Sequence, residues 1–160
     1  MEKPGETYTI TEAIRKMERY CAYQERCHLE VSGKLRAMRM IPEAIDQIIV
    51  HLIKNDFLNE ERFARTFARG KFHQKKWGRR RIVRELEQRQ LSRYNIQAAL
   101  SEIESEPYED TLHELAIKRL GQLREKHPLI RKRKLADYLL YRGWEPGLVY
   151  EKVQELVGGN

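Results

Sequence analysis

Apolar residues recur along most of this chain at steps of three and four, with charged residues between them, a pattern that predicts amphipathic helices rather than strands. The pattern also repeats. A shift of 51 residues superimposes Val31, Leu35, Met40, Ile45, Ile49 and Leu52 on Ile82, Leu86, Leu91, Ile96, Leu100 and Ile103, and a further shift of 53 reaches Leu135, Leu139, Trp144, Val149, Val153 and Leu156. Upstream of each set lies another helical stretch, aligned at Ala13, Ala64 and Ala116 and again at Met17, Ala68 and Leu120.

The punctuation between the helices repeats as well. In each copy a helix is expected to end near Arg39, Gln90 or Gly143, and the next to start at Pro42, Arg93 or Pro146. Proline at a first helical position loses no needed N–H and has its φ already set. Ser92 is placed to cap the open amides of the middle copy's last helix, Asn59 those of the second upstream helix, and Thr9 with Glu12 forms a capping-box pattern at the first. Gly143 suits the left-handed residue that closes a helix, whereas Arg39 and Gln90 must adopt that geometry at a cost or avoid it. The third upstream helix is expected to start near residues 107–110 and to end by His127, since Pro128 disfavours helix at the residue before it.

These readings give an all-α fold, a tandem array of three three-helix repeats, elongated or curved, with repeats at residues 1–54, 55–105 and 106–160. One unit of about 50 residues buries too little surface to stand alone comfortably, so neighbouring units should stack. Asn55-Asp56 and Ser105-Glu106-Pro107 are the expected joints.

Charge changes this picture. The 160 residues carry a net charge of +7, but it is unevenly spread. Between Arg62 and Arg93 stand twelve basic residues (Arg62, Arg65, Arg69, Lys71, Lys75, Lys76, Arg79, Arg80, Arg81, Arg84, Arg89 and Arg93) against Glu85 and Glu87, a local charge of +10. Between Lys118 and Lys134 eight more face only Glu125, for +7, so the rest of the chain sums to −10. Such polarisation points to a polyanion or an acidic protein surface as partner.

The middle unit holds the most specific pattern. It reads Phe57-Leu58-Asn59-Glu60-Glu61-Arg62-Phe63-Ala64, then Gly78-Arg79-Arg80-Arg81-Ile82, then Glu85-Leu86-Glu87-Gln88-Arg89-Gln90-Leu91. This resembles the RecX family of RecA regulators, whose central repeat runs aromatic-Leu-Asp/Asn-Asp/Glu-x-x-Phe-Ala, then Gly-x-x-x-Ile, then Glu-Leu-x-x-Lys/Arg-Gly-Ile. Length and triple-repeat layout agree over residues 8–157. Gln90 and Arg39 depart from the family's usual glycine. The resemblance implies a small, non-enzymatic, cytoplasmic protein that lodges in the groove of the RecA–DNA nucleoprotein filament and restrains filament growth, ATP hydrolysis and strand exchange.

Placed on a helix, Arg62, Arg65, Arg69, His73 and Lys76 form one stripe, while Phe63, Ala64, Phe67 and Ala68 face inward. The next helix turns Ile82, Val83 and Leu86 to the core and leaves Arg80, Arg81 and Arg84 outside, with Trp77-Gly78 as the break and Gly78 supplying the turn. The candidate contacts to RecA or DNA are therefore Arg62, Arg65, Arg69, Lys75, Lys76, Arg79, Arg80, Arg81 and Arg84, with Arg131, Lys132, Arg133 and Lys134 in the third unit. Arginine suits forked contacts with carboxylate or phosphate, so an acidic protein rim and single- or double-stranded DNA both remain open as ligands. Trp77, Phe72 and Tyr94 are candidates for stacking on bases or for filling core gaps.

Nothing in the sequence asks for catalysis, a metal or a cofactor. Cys21 and Cys27 are too few for a disulfide or zinc framework and are expected to be reduced thiols on helices. The histidines at 28, 51, 73, 113 and 127 show no metal-ligand spacing, and no phosphate loop or nucleophile elbow occurs. Cys27-His28 would diverge on a helix, and Glu60-Glu61 suit a helix N-terminus. Residues 1–6 lack the apolar stretch of a signal peptide and no apolar run is long enough to span a bilayer, so the chain is expected to be cytoplasmic, without membrane contact, and monomeric.

Overall fold

A computed structural model describes residues 7–158, so the reading of residues 1–6 lies outside the described residues. The described residues form nine α-helices in three successive units. They are α1 (Ile10–Tyr23), α2 (His28–Ala37) and α3 (Pro42–Lys54), then α4 (Glu60–His73), α5 (Arg79–Gln88) and α6 (Arg93–Leu100), then α7 (Ser105–Gln122), α8 (Pro128–Tyr141) and α9 (Pro146–Val157). Close helix pairing falls within units: α1 and α2 on α3, α4 and α5 on α6, and α7 with α8 and α9. None of these helices is long and apolar enough to cross a membrane.

The starts of the helices follow the sequence. Thr9, Asn59 and Ser92 accept the N–H groups of Glu12, Arg62 and Asn95 at 3.1, 2.9 and 3.1 Å, satisfying amides that have no partner within the helix. Glu12 returns a carboxylate contact to the Thr9 hydroxyl, 3.1 Å away. One start differs from expectation. The helix expected from residues 107–110 begins at Ser105, so Ser105-Glu106-Pro107 is no joint but the first turn of α7. Proline is tolerated there because the first amides of a helix have no internal acceptor to lose.

The three repeated turns are one structure. Arg39, Gln90 and Gly143 all have left-handed backbone, with φ of 63°, 62° and 95°. At each, the residue's own N–H reaches back to Arg36, Glu87 or Leu140 at 2.9–3.0 Å, and the N–H of the next residue (Met40, Leu91, Trp144) to Leu35, Leu86 or Leu139 at 3.1–3.2 Å. This paired closure satisfies the last carbonyls of the helix, and its apolar follower packs over the final turn. Arg39 and Gln90 therefore adopt the geometry that glycine would take more cheaply.

Burial follows the repeat. Leu35, Leu86 and Leu139 are fully buried, as are Ala13, Ala64 and Ala116. The apolar residues form two cores. One holds Ala13, Met17, Val31, Leu35, Ile48 and Leu52 of the first unit, together with Leu58. The other runs without a break through the second and third units and also takes in Cys27. Cys21 and Cys27 are buried free thiols, and burial pushes both up to about 11, which leaves them poor nucleophiles near neutral pH. Cys27 stands just before α2 rather than within it, its N–H capped by the Glu30 carboxylate at 3.0 Å.

Candidate functional site

Arg62, Arg65 and Arg69 of the expected stripe lie along α4, but the helix ends at His73 and Lys76 falls beyond it in the following turn, and the three arginines face acids of this same chain. The Arg62 Nε–H donates to Glu25 at 2.6 Å, Nη1–H to Asp56 at 3.1 Å and Nη2–H to the Asp56 carbonyl at 3.0 Å. Its pKa is raised chiefly by the bond to Glu25. Arg65 meets Glu61 at 3.2 Å and Glu102 at 3.4 Å, and Arg69 also pairs with Glu102. Three of the predicted contact residues thus tie α4 to the first unit and to the loop that follows α6. A further acid, Glu60, accepts the N–H of His28 at 2.9 Å, joining the starts of α2 and α4.

Arg79 is likewise committed, at the junction of the second and third units. Its Nη1 lies 3.1 Å from Glu145, and its guanidinium sits over the Tyr108 ring at 3.8 Å. The Arg79 backbone N–H donates to the Tyr108 hydroxyl at 2.8 Å, and that hydroxyl donates in turn to Glu145. Burial, then the bond to Glu145, raises the tyrosine pKa, so it remains a neutral donor.

Gly78 has an ordinary φ of −78°, so it does not supply the turn expected of it; Lys76, at φ 58°, does. The reason for glycine is closeness. A Cβ on Gly78 would lie 2.4 Å from the Gly143 carbonyl oxygen, and one on Gly143 would lie 2.2 Å from the Arg81 Cβ. The Gly78 N–H donates to Arg142 at 2.9 Å and the Arg80 N–H to Gly143 at 3.0 Å, so two turns from different units are bonded backbone to backbone.

What remains outside is a smaller set of cations. The side chains of Lys75, Lys76, Arg80 and Arg84 are exposed and have no carboxylate partner among the described residues. Arg79, Arg80 and Arg84, with the acid Glu87 and with Val83, Leu140, Trp144 and Pro146, line a cleft of about 650 Å³ between α5 and the third unit. Arg81 stacks on Trp77 at 4.2 Å. On α8, Lys134 pairs with Glu125, Arg131 donates to the Glu125 carbonyl at 3.0 Å, Lys132 donates to Gln154 at 3.3 Å, and exposed Arg133 lies 3.9 Å from Asp137. Of the candidate stacking aromatics, Phe72 is core, Trp77 is half-buried and Tyr94 is exposed.

Comparison with known proteins turns these features into kinship. The family models described as "RecX, second three-helix domain" and "RecX, third three-helix domain" match residues 59–100 and 106–153, together more than half of the chain. The chain belongs to the RecX family. The Regulatory protein RecX of Lactobacillus gasseri is 35% identical over 98 residues, covering 61% of this chain and 36% of that protein. The one from Streptomyces lividans is 24% identical over 130 residues, covering 81% and 69%. The chain thus spans about a third of the length of the first relative and about two thirds of the second. The crystal structure of RecX from Lactobacillus salivarius superimposes with a TM-score of 0.79 at 23% identity, covering 92% of this chain and 96% of that one, a likeness of fold. Within this RecX-family frame, the matched second and third domains are the two units that share a core and carry the outward cations. Glu25 and Glu102 against α4, Glu145 against Arg79, and Tyr141 beside Arg81 escaped the sequence reading because these partners lie 33 to 66 residues apart along the chain.

Proposed function

We propose that this chain is a non-enzymatic, cytoplasmic, monomeric regulator of RecA that binds the groove of the RecA–DNA filament and limits filament extension, ATP hydrolysis and strand exchange. Membership of a family of regulatory proteins supports the general role. The observation that carries the contact surface is the cleft between the second and third units, where Arg80 and Arg84 are exposed and form no ion pair among the described residues while Arg62, Arg65, Arg69 and Arg79 are held by acids of this chain. Guanidinium groups there suit an acidic protein rim or a phosphate backbone. The test is the Arg80→Ala, Arg84→Ala double variant in a RecA ATPase assay on single-stranded DNA. At least about a tenfold weaker inhibition is expected, since charge-assisted hydrogen bonds contribute about 1.5–3 kcal/mol each. Unchanged inhibition with unchanged helicity overturns the surface.

The exposed Lys75, Lys76 and Arg133 also favour a second reading, a general DNA-binding helical repeat protein. That reading expects similar affinity for bare DNA and for DNA coated by RecA. Were about six phosphates engaged, log affinity would fall against log salt with a slope of roughly −5. A clear preference for the coated filament rejects it.

A further inference from the structure

Beside the cleft, the end of α8 presents an aromatic ring that the cations alone do not account for. Tyr141 is 75% exposed, yet one side of it is held. The Arg81 guanidinium lies over it, 5.2 Å from the ring centre, and over Trp77 at 4.2 Å. Trp77 in turn meets Phe67 edge-on at 6.2 Å, so the ladder of rings and cation is rooted in the apolar core. Tyr94 is comparably exposed, at 69%, but has no ring or cation stacked on it among the described residues.

The surroundings of Tyr141 are set by backbone contacts. The Trp144 indole N–H donates to the Lys76 carbonyl at 3.2 Å, and the Arg142 guanidinium to the Lys75 carbonyl. These bonds seat the backbone of the Lys75-Lys76 turn against the C-terminal end of α8, the helix end that carries Tyr141, and both lysine side chains are exposed. A ring with one free face, backed by a fixed guanidinium and flanked by point charges, is the combination that binds single strands. Bases stack on the aromatic face, and cations follow the phosphates. A duplex keeps its base faces inside its own stack and offers such a ring only its backbone.

We infer that Tyr141 is a base-stacking platform for single-stranded DNA, with Lys75 and Lys76 at the neighbouring phosphates. This rests on the reading that the surface between the second and third units meets DNA. The test titrates the full chain with labelled oligothymidylate, with a duplex, and with an oligonucleotide of the same length lacking bases. Tyr141→Ala should weaken oligothymidylate binding about tenfold, Tyr141→Phe should bind as the parent chain does, and neither should alter affinity for the duplex or the base-free strand. The side chain is exposed, and circular dichroism checks that each variant keeps its fold. Equal oligothymidylate affinity for Tyr141→Ala and the parent chain overturns the inference, as does an equal loss on duplex or base-free strand, or a parent chain that binds no oligothymidylate. RecA inhibition by the parent chain and by the Arg80, Arg84 variant is scored separately, so failure of the platform is distinguishable from failure of the filament reading.

Discussion

The two junctions between units are built by different physics. Between the second and third units the core is continuous: Tyr108 stacks on Trp144 at 4.3 Å, Phe72 packs beside Tyr108 at 5.8 Å, and the Gly78 and Gly143 turns share backbone hydrogen bonds. Between the first and second units the cores are separate, bridged by Leu58 on one side and Cys27 on the other. Polar contacts do much of the joining there, led by Arg62 with Glu25 and by Glu60 with the His28 N–H. Apolar burial and backbone closure are not weakened by ionic screening, whereas half-exposed ion pairs are. The outward cations of the cleft thus stand on the junction that ionic conditions disturb least.

The sharpest way to break this contrast is a methyl group at the tighter junction. Gly143→Ala places a Cβ 2.2 Å from the Arg81 Cβ on a backbone with φ of 95°. Overpacking and the left-handed penalty together should cost about 3 kcal/mol, read as the loss in unfolding free energy in urea. Gly78→Ala meets the Gly143 carbonyl oxygen at 2.4 Å and should fall in the same range. Losses under about 1 kcal/mol at both positions would show that the two turns part easily, and the contrast between junctions would collapse.

A smaller effect is expected at the ionic junction. Arg62→Gln removes the partner of Glu25 while keeping a donor of similar reach, and since the Arg62 and Glu25 side chains are 35% and 26% exposed, solvent already offsets part of the attraction. A loss of about 1 kcal/mol follows, shrinking as sodium chloride is raised toward 1 M, where the Debye length is about 3 Å. Amide exchange in α1 and α2 should quicken more than in α8 and α9. A loss independent of salt would place the worth of Arg62 in packing of its stem rather than in its charge.

These two junctions also mark where sequence reasoning succeeded and where it stopped. The spacing of Leu35, Leu86 and Leu139 with Met40, Leu91 and Trp144 was readable because each pair lies within one helical turn and its closure, and local geometry repeats with local sequence. Pro42, Ser92 and Pro146 announced helix starts for the same reason. The charge stripe of α4 was also readable as a stripe, but its use was not. Glu25, Glu102 and Glu145 reach Arg62, Arg69 and Arg79 from across the fold, and although Asp56 and Glu61 stand close to Arg62 and Arg65 in the chain, no local spacing announces the distant acids. Gly78 was legible as a special position, while the reason for it, a carbonyl 65 residues away, was not.

The mildest substitutions resolve the contrast most finely. Arg39 and Gln90 hold left-handed backbone at φ of 63° and 62° where Gly143 holds the equivalent place. Glycine there relieves a steric cost of about 1–2 kcal/mol but gives the unfolded chain about 0.4–1 kcal/mol of extra freedom, so Arg39→Gly and Gln90→Gly should each stabilise by roughly 0.5–1 kcal/mol. Their locations differ in consequence. Leu35, which closes over Met40, belongs to the first core, and Leu86, which closes over Leu91, to the second. If the first unit opens on its own across a polar junction, Arg39→Gly should slow amide exchange in α1 to α3 and leave α4 to α9 as before. Gln90→Gly should slow exchange throughout α4 to α9, because the second and third units share one core and must open together. Uniform slowing over all nine helices by either variant would mean that the chain opens as a single cooperative body and that the ionic junction is as strong as the apolar one.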